Sequence, residues 1–82
     1  MYNIVFSDKA NEQFGKLEKT IKDRMLKTLQ RIVVRPYSFV EWLSGSDLFK
    51  LRVGDYRILL DIYEDKLVVL VVELGRRKNI YK

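Results

Sequence analysis

The chain opens on a short β-favouring run, YNIVF, cut off by Ser7 and Asp8, a pair that suits a helix N-cap followed by an acidic first turn. From there Ala10, Phe14, Leu17 and Ile21 recur at helical spacing, with Lys9, Glu12, Lys16 and Glu18 between them, which predicts an amphipathic helix. Thr20 followed by Asp23 resembles a capping box, so a second helix is expected to begin near Ile21 after a tight bend. Its apolar stripe is Met25, Leu26, Leu29, Ile32 and Val33, and Pro36 ends it by pushing Arg35 out of the helical region. The segment PYSFVEWLSGSD has no clean period, carries three aromatics and ends in Ser-Gly-Ser. It reads as a loop over the core edge, with Trp42 structural.

After that loop the apolar period shortens to two. Strands are predicted at about 48–53, 56–63 and 67–74, with Gly54-Asp55 as the first turn and Glu64-Asp65-Lys66 as the second. The order is therefore β-α-α-β-β-β. Helices in one block and strands in another predict an α+β fold: an N-terminal strand, a helical hairpin, then a three-stranded antiparallel meander, with the helices on one face of a four-stranded sheet. With 82 residues and no linker or repeat, residues 1–82 form a single domain.

Side chains alternate across a strand, so Phe49, Leu51 and Val53 share an apolar face while Lys50 and Arg52 share the other. A two-residue turn at Gly54-Asp55 sets Val53 opposite Tyr56 and Arg52 opposite Arg57. Like charges directly across an antiparallel pair oppose folding by roughly 0.2–1 kcal/mol. For the last strand, a three-residue turn is preferred because it keeps the Glu73 charge out of the core. That register turns Val68, Leu70, Val72 and Leu74 toward the helices and sets Glu73 across from Arg57. Alternation past Gly75 then brings Arg77 toward Lys50, Arg52 and Arg57, and the tail adds Arg76, Lys78, Tyr81 and Lys82 without an acid. The plainer alternative is an ordinary charged sheet face with an Arg57–Glu73 ion pair. Mutual repulsion among the clustered cations would be relieved by a bound polyanion.

Composition narrows the chemistry. Sixteen Lys and Arg against eleven Asp and Glu give a net charge of +5, which favours an anionic partner. There is no cysteine and no histidine, so thiolate chemistry, disulfides and the commonest metal ligand are all absent. No metal or cofactor is expected, and catalysis would fall to Lys, Arg, Tyr, Asp or Glu. The longest apolar run, LVVLVVEL, falls far short of the ~20 residues of a membrane helix. The first residues lack the basic start and apolar run of a signal peptide, so a cytoplasmic protein without a membrane partner is expected.

At LSGSDLFKLRVGDYRILLDI and LVVLVVELGRRKNIY the chain resembles the RelE/ParE superfamily of toxins. The matching residues are Leu43, Gly45, Lys50-Leu51-Arg52, Gly54, Tyr56-Arg57, Gly75, Arg77 and the late tyrosine, and the inferred element order matches too. RelE-like members are mRNA interferases, toxins of type II toxin-antitoxin systems. They cut messenger RNA in the ribosomal A site and are silenced by a cognate antitoxin. The resemblance thus implies antitoxin, ribosome and mRNA as partners. It marks Lys50 as proton acceptor, Arg57 and Arg77 as phosphate-binding, charge-stabilising arginines, and Tyr81 as a stacking or proton-transfer residue. Arg52 is marked as an RNA contact; apart from the resemblance, the acid-free tail makes Arg76, Lys78 and Lys82 expected as further phosphate binders. Two departures stand out: Leu48 where some members carry lysine, and Arg76 where many carry histidine.

These residue types suit metal-independent RNA cleavage, in which the 2′-hydroxyl attacks the adjacent phosphate. Neighbouring cations disfavour a protonated lysine, and arginine forms paired hydrogen bonds to phosphate oxygens. The alternatives are a ParE-like poison of DNA gyrase, or an inactive relative that only binds antitoxin or nucleic acid. An amphipathic antitoxin segment on the helical hairpin or the sheet is one docking mode.

Overall fold

The computed structural model describes residues 1–76 and has the predicted α+β organisation, extended by one strand. Strand β1 (Asn3–Phe6) is followed by helix α1 (Asp8–Gly15) and helix α2 (Lys19–Ile32). A 3-10 turn (Pro36–Ser38) and a two-residue strand β2 (Glu41–Trp42) lead to β3 (Phe49–Val53), β4 (Tyr56–Tyr63) and β5 (Val68–Arg76). The sheet runs β1-β5-β4-β3-β2, parallel only between β1 and β5. The helices pack on one face, α1 on β5 and α2 over β3. Among the described residues no helix is long and apolar enough to cross a membrane.

Local chemistry explains the first turn of α1. The Ser7 hydroxyl accepts a hydrogen bond from Ala10 N (3.0 Å) and donates one to Val72 O (2.7 Å), so one side chain caps the helix and ties it to β5. Helix α2 begins earlier than the capping-box reading places it. Glu18 is its N-cap, without a side-chain cap hydrogen bond, and Thr20 lies inside the first turn. Met25, Leu29 and Ile32 are buried as the period requires, whereas Leu26 is exposed and Val33 half-buried beyond the helix end. They pack with Leu51, Val53, Ile58, Leu60, Ile62, Val69, Val71 and Leu74 into one core.

Two expectations are corrected in the second half of the chain. The segment after Pro36 covers the core edge only through Val40 and Tyr37, which packs edge-on against Phe49, while Phe39 and Trp42 are 54% and 60% exposed and Glu41–Trp42 pairs with β3 as a fifth strand. Trp42 instead donates its indole N–H to Ser46 O (2.8 Å), bracing the turn before β3.

The register of β5 also differs. Tyr63 pairs with Val68 across a four-residue turn, residues 64–67, in which Leu67 adopts φ 52°, a conformation ordinarily left to glycine or asparagine. Val69 and Val71 therefore face the helices in place of Val68 and Leu70. Val72 is then an extra residue, because Leu60 pairs with Val71 but Leu59 with Glu73. This bulge returns Leu74 to the core and leaves Glu73 across from Leu59 rather than Arg57. Glu73 forms its ion pair with Lys9 (2.7 Å). The bulge is anchored from α1: Ser7 takes Val72 O, and Gln13 Oε1 accepts from Leu74 N (2.8 Å).

Candidate nucleic-acid interface

The β3–β4 hairpin forms as its sequence requires. Gly54 has φ 59° and is the only residue of the Gly54-Asp55 turn with positive φ, which fits a type II′ turn. Val53 then pairs with Tyr56, and Arg52 lies directly opposite Arg57. On the same face Lys50 pairs with Leu59, and Glu41 on β2 pairs with Lys50. Three cations from two strands thus occupy adjacent positions on the face away from the helices.

Their environments differ. Arg52 is exposed, while Arg57, on the central strand, is only 5% exposed. Leu59 beside it is 6% exposed although it faces away from the helical core, as expected if the aliphatic stems of neighbouring charged side chains lie over it. Arg57 pairs with Gly75 on its other flank, where no side chain competes for the space. A pocket of about 100 Å³ opens here, lined by Phe39, Glu41, Lys50, Arg52 and Arg57. Lys50 Nζ lies 3.7 Å from Glu41 Oε2, a long, largely solvated ion pair that an incoming phosphate can displace.

The structure brings Lys50, Arg52 and Arg57 together and sets Arg76 apart. Arg76 pairs with Tyr56, so it shares the helix-side face at the end of the sheet. Its guanidinium sits 5.7 Å from the Tyr56 ring, and its Nε donates to the Tyr56 hydroxyl at 3.5 Å. That hydrogen bond pushes the Arg76 guanidinium further above its ordinary range. Arg77, Lys78, Tyr81 and Lys82 lie outside the described residues.

Glu41 and Phe39 were not expected at the site. A two-residue strand is too short to show alternation, so the signal for Glu41 is absent from the pattern. Phe39 had a weak signal, being one of three aromatics in a stretch with no helical or strand period to bury them.

The open face of this small α+β sheet thus carries a basic pocket lined by Lys50, Arg52 and Arg57. Residues 4–81 match the family described as the "ParE toxin of type II toxin-antitoxin system", and the chain belongs to that family. It is 29% identical over 81 residues to the mRNA interferase toxin RelE of Escherichia coli, spanning 95% of this chain and 85% of the relative. The toxin in the crystal structure of the intact E. coli RelBE toxin-antitoxin complex superposes with a TM-score of 0.80 at 27% identity, over 93% of this chain and 96% of that one. The RelBE2 complex from Mycobacterium tuberculosis gives 0.84 at 21% identity, over 95% and 93% of the two chains, a likeness of fold.

Proposed function

We propose that this toxin is a ribosome-dependent endoribonuclease that cuts messenger RNA in the ribosomal A site. The observation that carries the reading is the convergence of Lys50, Arg52 and Arg57 on one pocket, with Arg52 directly opposite Arg57. Two guanidinium groups set opposite each other suit a phosphodiester, whose oxygens accept paired hydrogen bonds from both.

The chemistry follows from the groups present. The 2′-hydroxyl passes its proton to Lys50, and its oxygen attacks the adjacent phosphorus. For that transfer Lys50 must be the neutral amine, so its ion pair with Glu41, 3.7 Å away in the free protein, gives way to the incoming RNA. Arg57 and Arg77 hold the charge that builds on the phosphorane oxygens, where preorganised donors act most strongly. The bond to the 5′-oxygen then breaks, that oxygen takes a proton for which Tyr81 is the candidate donor, and the products carry a 2′,3′-cyclic phosphate and a 5′-hydroxyl. Arg52 contacts the RNA backbone beside the reacting phosphate, with Arg76, Lys78 and Lys82 as further contacts. No step calls for a metal. Because the protein supplies few acid–base groups, the ribosome supplies the substrate geometry, and free RNA is cut poorly.

A RelE relative is found in complex with its antitoxin, and a cognate antitoxin is accordingly the expected partner here. The ribosomal substrate places the active toxin in the cytoplasm. The ParE description of the matched family favours a second reading, a poison of DNA gyrase. Primer extension on messenger RNA from a translating extract, run beside a gyrase supercoiling assay, separates the two. Discrete cuts within codons with normal supercoiling are expected. Intact messages with stalled supercoiling would overturn the nuclease reading.

A further inference from the structure

A groove larger than the candidate pocket lies beside it. It has a volume of about 420 Å³ and lies between α2 and the β3–β4 hairpin, where Arg24, Lys27 and Arg31 on the helix face Arg52, Gly54 and Phe39. Leu51 and Val53 form its floor. Among the described residues, none of these four cations makes an ion pair, whereas Lys9, Lys16 and Lys50 each have a carboxylate partner. Helix stability alone gives no reason to gather them, since like charges spaced three or four apart along a helix repel.

Two features give the groove direction. Phe39 and Arg52 line both this groove and the pocket that holds Lys50 and Arg57, so the two cavities adjoin. At the far end the Arg24 guanidinium lies against the hairpin turn, so close to Gly54 that a Cβ there would stand 3.1 Å from Nη1. From Arg24 to Arg31 the helix advances about 10 Å, enough to follow a strand backbone over more than one phosphate. The exposed Phe39 ring stands at the junction, where it offers a stacking surface for a base of any identity.

We infer that this groove is a second binding site, a phosphate-tracking channel that carries the single-stranded RNA flanking the cut from the Lys50 pocket past Phe39 and along α2. The inference rests on the RNA-directed reading above and extends it to residues outside the reacting centre. A polyanion fits better than an acidic protein segment because the cations are strung along one axis continuous with the reacting pocket, at a spacing suited to repeated phosphates. Recognition of this kind is indifferent to sequence and sensitive to salt.

The test uses the whole chain carrying Lys50→Ala, so that RNA remains intact, and short labelled oligouridylate and oligoadenylate strands followed by fluorescence anisotropy over a range of salt. Lys27→Glu with Arg31→Glu is compared with Lys19→Glu with Lys66→Glu, an equal charge change outside both cavities. The groove pair is expected to weaken both oligonucleotides alike, by roughly tenfold or more, and to make the salt dependence shallower by about 1.4 in log–log slope. The control pair is expected to change the slope little. Should the reversals unfold the helix, Lys27→Gln with Arg31→Gln gives the same comparison in milder form. Equal effects from both pairs, or none from either, would overturn the channel. So would a polyglutamate probe that responds to the groove pair while the RNA strands do not, which would assign the groove to an acidic protein segment. Cleavage by the unmodified protein in a translating extract is scored separately. A protein that cuts messages but binds RNA without Lys27 and Arg31 refutes the channel alone. One that cuts nothing yet loses RNA with the groove pair refutes the nuclease alone.

Discussion

On the helix side of the sheet Ile58, Leu60, Val69 and Val71 are fully buried against Met25, Leu29 and Ile32, and each neighbour is as apolar as the next. On the other side the same strands carry Lys50, Arg52, Arg57 and Glu73, and the central strand buries Arg57 and Leu59 among those charges. The first face repays folding through area removed from water. The second sets a guanidinium opposite a guanidinium and so works against folding. One buried and one polar face is ordinary for an antiparallel sheet, so the feature the proposed RNA ligand would use is the narrower one, Arg52 opposite Arg57 with Lys50 beside them.

Substitutions on the two faces should therefore separate stability from activity. The largest effect is expected from Leu60→Ala, which empties a fully buried site and should cost about 2–5 kcal/mol in urea unfolding, taking activity with it. Arg57→Lys keeps the charge but loses the planar fork. Message cutting should fall about 100-fold, with a much smaller shift in the unfolding midpoint. Ser7→Ala removes the α1 cap and the hydrogen bond to the bulge at once, and should cost about 1 kcal/mol with cutting retained by the folded fraction. Glu73→Gln breaks the ion pair with Lys9 and should cost less than about 1 kcal/mol, an effect that shrinks further in high salt.

The smallest effect is a matter of pH. Tyr37 donates to Glu64 Oε1 at 2.7 Å, and that hydrogen bond, with minor help from burial and nearby carboxylates, pushes its phenol up to about 12. A raised phenol favours the neutral form in the folded state. Any stability it lends is present below the ordinary tyrosine value near 10 and is lost as pH rises through 12. Phenolate absorbance of the folded protein should show a late-titrating component that Tyr37→Phe reduces, with Tyr63, raised by its hydrogen bond to Asp61, contributing to what is left.

How much of this could be read from residues alone differs between the faces as well. The helices, the β3–β4 hairpin and the Arg52–Arg57 opposition follow from local signals: period, the Ser7 cap, and Gly54 at the turn. The course of β5 does not. Its turn places Leu67 at a positive φ that no leucine advertises, and its bulge at Val72 is held by Ser7 and Gln13, some sixty positions earlier in the chain. The longer turn and the bulge offset each other in register, so Leu74 and Glu73 lie on the expected faces while Val68 and Leu70 do not. Glu41 stayed hidden because β2 is held by pairing with β3 rather than by any pattern of its own. The α2 groove is not legible in the sequence, because Arg24, Lys27 and Arg31 have the spacing of the solvated side of any amphipathic helix until the hairpin is laid beside them.

The claim that the open face exists to hold and cut RNA is tested most directly by single-turnover cleavage of messenger on stalled ribosomes, comparing the unmodified protein with Lys50→Ala. Lys50 belongs to no part of the core, so the variant should unfold at the same urea concentration while cutting at least about 100-fold more slowly. Equal cutting rates at equal stability would contradict the account.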